Sequence, residues 1–281
     1  MERNSNIKSM KLYNHVYRIY NELKELGKND TEPLLVEELT NFDQLHYHGT
    51  EAVDFSIKKL GIDSNMTILE IGSGIGGPAR YIANETGATV IALELQSDQN
   101  EIALDLTKRC GLSNKVKHVC GDFLTYNWEG KKFDAIVSWL TLYHIFEHKI
   151  LLQKCFDSLK LGGLFYAEDL FSRKPFNKEE LSELIKNIYG NYLPDIKTYK
   201  LEIKKIGFNL IFCQDMSDEW TKFTRTRYLS YNQQKDRHLR VHGENIYNNI
   251  NSFYAFIDRY FAKGKLGGIR VIAKKTIETS Y

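Results

Sequence analysis

The sequence contains no apolar run approaching the ~20 residues that a membrane-spanning helix requires, so no such span is expected. Net charge is nearly absent too. Lysines and arginines number 38 against 36 aspartates and glutamates, a balance of +2. That gives no long-range field for a polyanion, and nucleic acid is not an expected partner. Cysteine is scarce: Cys110, Cys120, Cys155 and Cys213 show no metal-ligand spacing, and nothing resembles a secretory leader. They read as reduced thiols in a cytoplasmic protein. The first 20 residues are basic with a single acid, Glu2, which makes a mitochondrial presequence the runner-up. Internal repeats and low-complexity linkers are also missing. The expected organisation is one compact unit: a helical lid and active-site cover over 1–50, a ligand-binding core over 51–170, and a C-terminal half over 171–281 with a helical insertion and the final strands.

What is present is an ordinary globular composition, 42% hydrophobic and 26% charged with mean hydropathy −0.41. Its 281 residues can bury a sizeable core. The chain is organised around residues 67–78. Thr67-Ile68-Leu69-Glu70-Ile71 is an apolar run of strand type. A loop holding Gly72, Gly74, Gly76 and Gly77 follows, and Ala79-Arg80-Tyr81-Ile82-Ala83 can open a helix. That is the strand–glycine loop–helix layout of a nucleotide pocket. Gly72, Gly74 and Gly77 satisfy the dinucleotide spacing, but Glu70 argues against a pyrophosphate, which it would repel. A carboxylate there suits a cationic amino-acid moiety such as that of S-adenosylmethionine.

Downstream, strand and helix alternate, which predicts a parallel sheet covered on both faces. Thr89–Leu93 reads as the second strand, ending at Glu94-Leu95. Glu94 stands where an acid accepts hydrogen bonds from a ribose diol. A helix at 98–109 and a strand at 116–120 follow. Asp122 is then placed to accept from an adenine amino group, or to cap a turn, and Phe123 to pack on the ring. Phe133–Trp139 is the fourth strand, and its continuation through His144 lies where such sheets bind ligands. A helix at 147–159 leads to the fifth strand, 164–169.

At the N-terminus, Leu12, Val16, Ile19, Leu23 and Leu26 recur at steps of four and three, predicting an amphipathic lid helix over 8–26. The cluster from Phe42 to Thr50 contains Gln44, His46, Tyr47 and His48. In an extended segment the two histidines point the same way, but no carboxylate or cysteine completes a metal site, and no metal is expected. Thr50 is the expected cap of a helix over 51–60. Toward the C-terminus, Asn177 with Glu180 forms a capping-box-like helix start, Pro194-Asp195 starts another helix, and 208–214 reads as a strand. Residues 217–262 are mostly helical. Within them Lys222, Arg225, Arg227, Lys235, Arg237 and Arg240 read as a nearly unopposed basic run, either a solvated face or a docking face for a homodimer or protein partner. A last strand over 266–273 is expected beside the fifth.

Together, Glu-x-Gly-x-Gly (70–74), an acid closing the second strand, Gly121-Asp122 and Leu-x-x-Gly-Gly (159–163) resemble class I S-adenosylmethionine-dependent methyltransferases. The resemblance covers residues 67–170. Thr-Leu-Tyr-His-Ile (141–145), Gly-Thr-Glu-Ala (49–52) and Gln-Asp-Met-Ser-Asp-Glu-Trp (214–220) are similar to the phosphoethanolamine and sarcosine/dimethylglycine N-methyltransferase branch. The resemblance implies a Rossmann-like, doubly wound sheet of seven strands with the last antiparallel, an N-terminal helical lid and a C-terminal insertion. It implies an S-adenosylmethionine pocket using Glu70, Gly72, Gly74, Glu94, Leu95, Asp122 and Phe123. Gln44 and Tyr47 would lie in the segment closing over the methyl donor, and His144 at the active-site histidine. Trp139 and Leu140 replace an Arg-Asp pair of the phosphobase enzymes. Leu170 replaces a tyrosine, and Tyr189 stands where a phosphate-binding arginine is expected. A more aromatic acceptor site is implied, for a neutral or cationic small molecule.

The expected activity is methyl transfer to a small-molecule acceptor, an amine nitrogen above others. His144 would serve as base, and Tyr47, Trp139 and Tyr143 would hold a developing cation. The alternative is a methyltransferase-fold subunit that serves a larger assembly without turnover.

Overall fold

The computed structural model describes Ile7 and residues 10–276. Three short helices come first, α1 (Arg18–Glu25), α2 (Val36–Asp43) and α3 (Gly49–Leu60). The α/β rhythm follows as β1 (Thr67–Ile71), α4 (Gly77–Thr86), β2 (Thr89–Glu94), α5 (Ser97–Arg109), β3 (Val116–Cys120), β4 (Phe133–Trp139), α6 (His148–Ser158) and β5 (Leu159–Ser172). Then come α7 (Lys178–Ile188), α8 (Ile196–Lys205), β6 (Phe208–Asp215), α9 (Ser217–Gln233), α10 (Lys235–His242), α11 (Glu244–Ala262) and β7 (Leu266–Lys275). The strands form one seven-stranded sheet ordered β3-β2-β1-β4-β5-β7-β6, in which β7 alone runs antiparallel to its neighbours. This is the sheet the resemblance implied, with the last strand beside the fifth.

Side chains alternate across a strand, and the two faces have different covers. Leu69 and Ile71 pack with α6 and α8, whereas Ile68 packs with α3 and α4. Burial on both faces explains why the central strands read as near-continuous apolar runs. Helix starts follow local chemistry. Asn177 accepts from the Glu180 amide at 2.8 Å, and the Glu180 carboxylate accepts from the Asn177 amide at 2.9 Å, closing the capping box. Asp195 caps α8 through the Thr198 amide. Pro78 sits at the start of α4, where its missing N–H costs nothing.

The structure corrects the N-terminal expectations. The helix predicted over 8–26 is regular only at Arg18–Glu25, and residues 11–17 are turns. The apolar residues that suggested one stripe serve two cores. Leu12 packs with Trp220 and Ile250 of the C-terminal helices, while Val16, Ile19 and Leu23 pack with Leu39, Ile75 and Ile102. A straight helix cannot deliver one stripe to two sites, and Leu26 is left exposed. Thr50 does not cap α3, which starts one residue earlier with His48 in the left-handed region at φ 61°. His46 and His48 do not converge: the His46 Nε2 bonds the Gly49 carbonyl at 2.9 Å, and His48 faces Glu219 at 3.3 Å.

The basic run is not unopposed. Arg225 pairs with Asp258, Arg237 with Glu22 and Arg240 with Glu25. Arg227 lies 4.7 Å from the Tyr47 ring centroid, and Lys235 lies 5.9 Å from that of Tyr247. The acids come from other helices, so the sequence run alone could not reveal them.

Candidate active site

Strand order reverses between β1 and β4, and ligands of such sheets bind in the crevice at the carboxyl ends of the strands there. The loop after β1 and the loop after β4 meet at that point. A Cβ on Gly72, whose φ is +73°, would lie 2.2 Å from Thr141 Oγ1, so glycine is required by both backbone and space. Gly77 has a different reason: its Cβ would meet the Asp43 carbonyl at 2.5 Å, because the end of α2 rests on the start of α4. Below this contact Asp43 and Arg80 form a buried ion pair at 3.0 Å, with both side chains inaccessible to solvent.

Glu70, next to last in β1, lies inside the protein, and among the described residues its Oε2 has no hydrogen-bond partner. Burial, only partly offset by Arg80, pushes its pKa up to about 8. Glu94 closes β2 and fastens the glycine loop: its Oε2 accepts from the Gly74 amide at 2.8 Å and its Oε1 from the Gln96 amide at 2.9 Å. Each carboxylate oxygen keeps a second lone pair. Ser73 Oγ, Gln96 Oε1 and Gln99 Oε1 are likewise buried around the loop without partners among the described residues.

His144 ends a 3-10 turn, Leu142–His144, on the opposite wall. Its Nδ1 lies 3.0 Å from the Tyr189 carbonyl, which can only accept, so the proton sits on Nδ1. The Nε2 lone pair is buried, and it is unpartnered among the described residues. Burial lowers the pKa to about 4, leaving the ring neutral. Leu140 and Tyr189, which flank this histidine in space, are both non-glycine residues at positive φ, 53° and 51°. Such strain persists only where surrounding contacts impose it, and it concentrates at working sites.

The cavity between these walls is lined by Glu70, Gly72, Gly74, Glu94, Trp139 and His144 among the expected residues. Its free volume is about 70 Å³, far below the ~300 Å³ lower bound usual for ligand pockets. Tyr13, Leu45 and His46 of the N-terminal segment form one wall, so a ligand of nucleoside size enters only when that wall moves. The other expected residues lie elsewhere. Leu95 is exposed beyond β2, and Asp122 is exposed, accepting from the Leu124 amide at 2.8 Å as a turn cap. Phe123 is buried in the core beneath the sheet end. Gln44 donates to Asp43 at 2.9 Å and faces a second, larger cavity. Tyr47 is buried against Trp220, with ring centroids 4.7 Å apart, and lines neither. Sequence reasoning missed Thr141, Ser73, Gln96 and Gln99. Gln96 and Gln99 carried a faint signal as amides just after the acid of β2, whereas Thr141 is set by a contact between distant loops.

The larger cavity, about 940 Å³, lies between residues 12–51 and the helices α9–α11. Leu45 and His46 line both cavities, so the two share a wall.

Sheet order and glycine loop together define a class I S-adenosylmethionine-dependent methyltransferase fold, and the orphaned Glu70 oxygen fits the ammonium of that donor. The family described as mycolic acid cyclopropane synthetase matches residues 40–271, and this chain belongs to it. Over 172 residues, 58% of this chain and 45% of the relative, it is 30% identical to a sterol 24-C-methyltransferase of Clavispora lusitaniae. Over 227 residues, 80% of this chain and 45% of the relative, it is 27% identical to phosphoethanolamine N-methyltransferase 1 of Zea mays. The chain thus spans about half the length of the curated relatives it matches. Its fold is similar to that of Haemonchus contortus phosphoethanolamine N-methyltransferase 2 in complex with S-adenosyl-L-methionine, with TM-score 0.79, 20% identity, and coverage of 96% of this chain and 59% of that one.

Proposed function

We propose that this chain catalyses methyl transfer from S-adenosylmethionine to the nitrogen of a small amine. The observation that carries this reading is the neutral His144, with Nδ1 fixed by the Tyr189 carbonyl and a bare Nε2 on the pocket wall. A primary or secondary amine sheds a proton as the methyl group passes from the sulfonium to its nitrogen and the thioether leaves, and an oriented imidazole lone pair is a suitable acceptor. Bound S-adenosylmethionine supplies an electrophilic methyl group on a sulfonium. In this reading Glu70 holds the donor's ammonium and Glu94 its ribose, while Leu95 and Asp122, outside the cavity in this structure, reach the adenine end only as the pocket opens, and Phe123 supports them from the core. Gly72 and Gly74 let the backbone lie close to the ligand. Trp139 already lines the donor pocket, where an aromatic face favours a developing cation by ~0.5–2 kcal/mol, and Gln44 and Tyr47 would join it only when the N-terminal wall moves.

A second reading is carbon methylation of an apolar alkene. It is favoured by the likeness to a sterol 24-C-methyltransferase and by the aromatic Tyr13 and Trp139 on the donor pocket wall. The test is transfer of labelled methyl from S-adenosylmethionine to two panels, small primary to tertiary amines and sterol or polyprenoid alkenes. Label in the amine panel alone supports the first reading, and label in the alkene panel alone replaces it with the second. No transfer to either, with the donor bound, would leave the chain as a donor-binding subunit.

A further inference from the structure

The wall of the larger cavity opposite the donor pocket carries a cluster that methyl transfer does not use. His238 and His242 lie one turn apart on α10 and so share a face of that helix. Glu22 approaches them from α1, and among the described residues one ligand atom from each of the three falls within 4.8 Å of the others. All three line the cavity. His238 is 9% exposed, and its Nδ1 is buried with no hydrogen-bond partner among the described residues. The His242 Nδ1 is also buried and unpartnered, although its Nε2 bonds Glu22 Oε1 at 2.8 Å. Two imidazole nitrogens kept from water without partners are costly, and a metal ion is a partner that satisfies such nitrogens.

We infer that Glu22, His238 and His242 form a binding site for a divalent transition-metal ion of the zinc type. Two imidazoles and one carboxylate are a donor set that such ions take in three-ligand sites, with a further position left for water. Here that position opens on the cavity. The protonation states suit coordination. Burial, aided by Arg237, lowers His238 to about 4, so its ring is neutral. Burial raises Glu22, but hydrogen bonds from His242 and Arg237 outweigh it and bring the carboxyl down to about 2. Tetrahedral zinc needs its donors roughly 3.4 Å apart, so the cluster must draw in by side-chain rotation. Arg237, 2.5 Å from Glu22 Oε2, then serves as the outer hydrogen-bond donor that ligating carboxylates commonly have. The ion would tie α1 to α10.

The competing account is a metal-free polar latch. Glutamine discriminates: His242→Gln can still donate a hydrogen bond to Glu22 but is a poor ligand for zinc. Zinc titration of the untagged full-length chain by calorimetry is expected to show one equivalent bound. His238→Gln and His242→Gln should each weaken binding by at least about 100-fold, the upper end of what loss of an outer-shell partner costs. Unchanged affinity in either variant, or no zinc binding by the wild type, would overturn the site. Should a variant fail to fold, cobalt bound to the wild type decides. An intense visible band of four- or five-coordinate cobalt supports the site, and a weak six-coordinate spectrum rejects it.

Discussion

Glu70 is the residue where electrostatics and function meet. Its folded pKa, pushed up to about 8, lies above the ordinary carboxylate value, so the donor-free protein prefers it protonated. The stability this confers is fully present below about pH 4.5 and is lost as pH rises through 8. Asp169, also buried and raised to about 8, acts in the same direction. Donor binding has the opposite acid limb, because the ammonium needs the ionised carboxylate. Affinity for S-adenosylmethionine should therefore rise by roughly tenfold per pH unit up to about 8 and then fall as the donor's own α-amino group deprotonates. Glu70→Gln is expected to abolish that binding and to reduce, but not remove, the loss of thermal stability between pH 5 and 8, because Asp169 still titrates there. Calorimetry and thermal melts across pH check both, and an affinity that is flat with pH would reject the ammonium contact. His144 gives a separable prediction. His144→Ala should leave donor affinity within about twofold while turnover falls by ~10²–10⁴, the usual contribution of a positioned proton acceptor. Normal turnover in this variant would remove His144 from the mechanism.

Between elements, the fixed point is the joint of α2 with α4. The helix ends approach so closely that a Cβ on Gly77 would strike the Asp43 carbonyl, and the Asp43–Arg80 pair lies beneath with no solvent to screen it. Asp43→Ala leaves a buried guanidinium without its counter-charge, which costs about 3–5 kcal/mol. Urea denaturation should show a loss of that size. A loss below about 1 kcal/mol would mean that the pair is solvated in solution. The same joint explains part of what the sequence could and could not convey. The glycine loop and Glu70 were legible because their constraints are local: a sharp turn and a carboxylate at a strand end. The reason for Gly77 was not, since it depends on a backbone carbonyl 34 positions earlier in the chain. The N-terminal periodicity misled for a related cause, because Leu12 and Val16 answer to different cores.

Across the molecule, the N-terminal segment lies over the donor pocket and is held to the insertion by charge. Glu22 contacts Arg237 and His242, and Glu25 contacts Arg240 at 2.6 Å. The Glu25–Arg240 pair, the more exposed of these, is screened by salt, the Debye length falling from about 10 Å at 0.1 M to about 3 Å at 1 M. Hydrogen exchange of the amides in α1 should therefore quicken in 1 M salt while those of β1 and β4, central in the sheet, stay protected. Equal response of α1 and the central strands would mean that the segment does not open as a separate unit. Since the donor cavity in this structure is far smaller than a nucleoside, the same salt increase should speed donor association.

The sequence by itself determined the sheet: seven strands, their apolar runs, the antiparallel last strand, and a glycine loop behind a carboxylate. The apolar runs and the glycine loop follow from periodicities and steric rules that act over a few residues, while the antiparallel sense of the last strand came from the resemblance of the motifs to a known family. The tertiary structure alone decided which groups face one another. It set Thr141 against Gly72, turned the bare nitrogen of His144 toward the pocket through the carbonyl of Tyr189, and matched the arginines of the insertion to acids of the first helix. Contacts between residues tens to hundreds of positions apart leave no periodic trace in the chain, because each is fixed by the packing of whole elements.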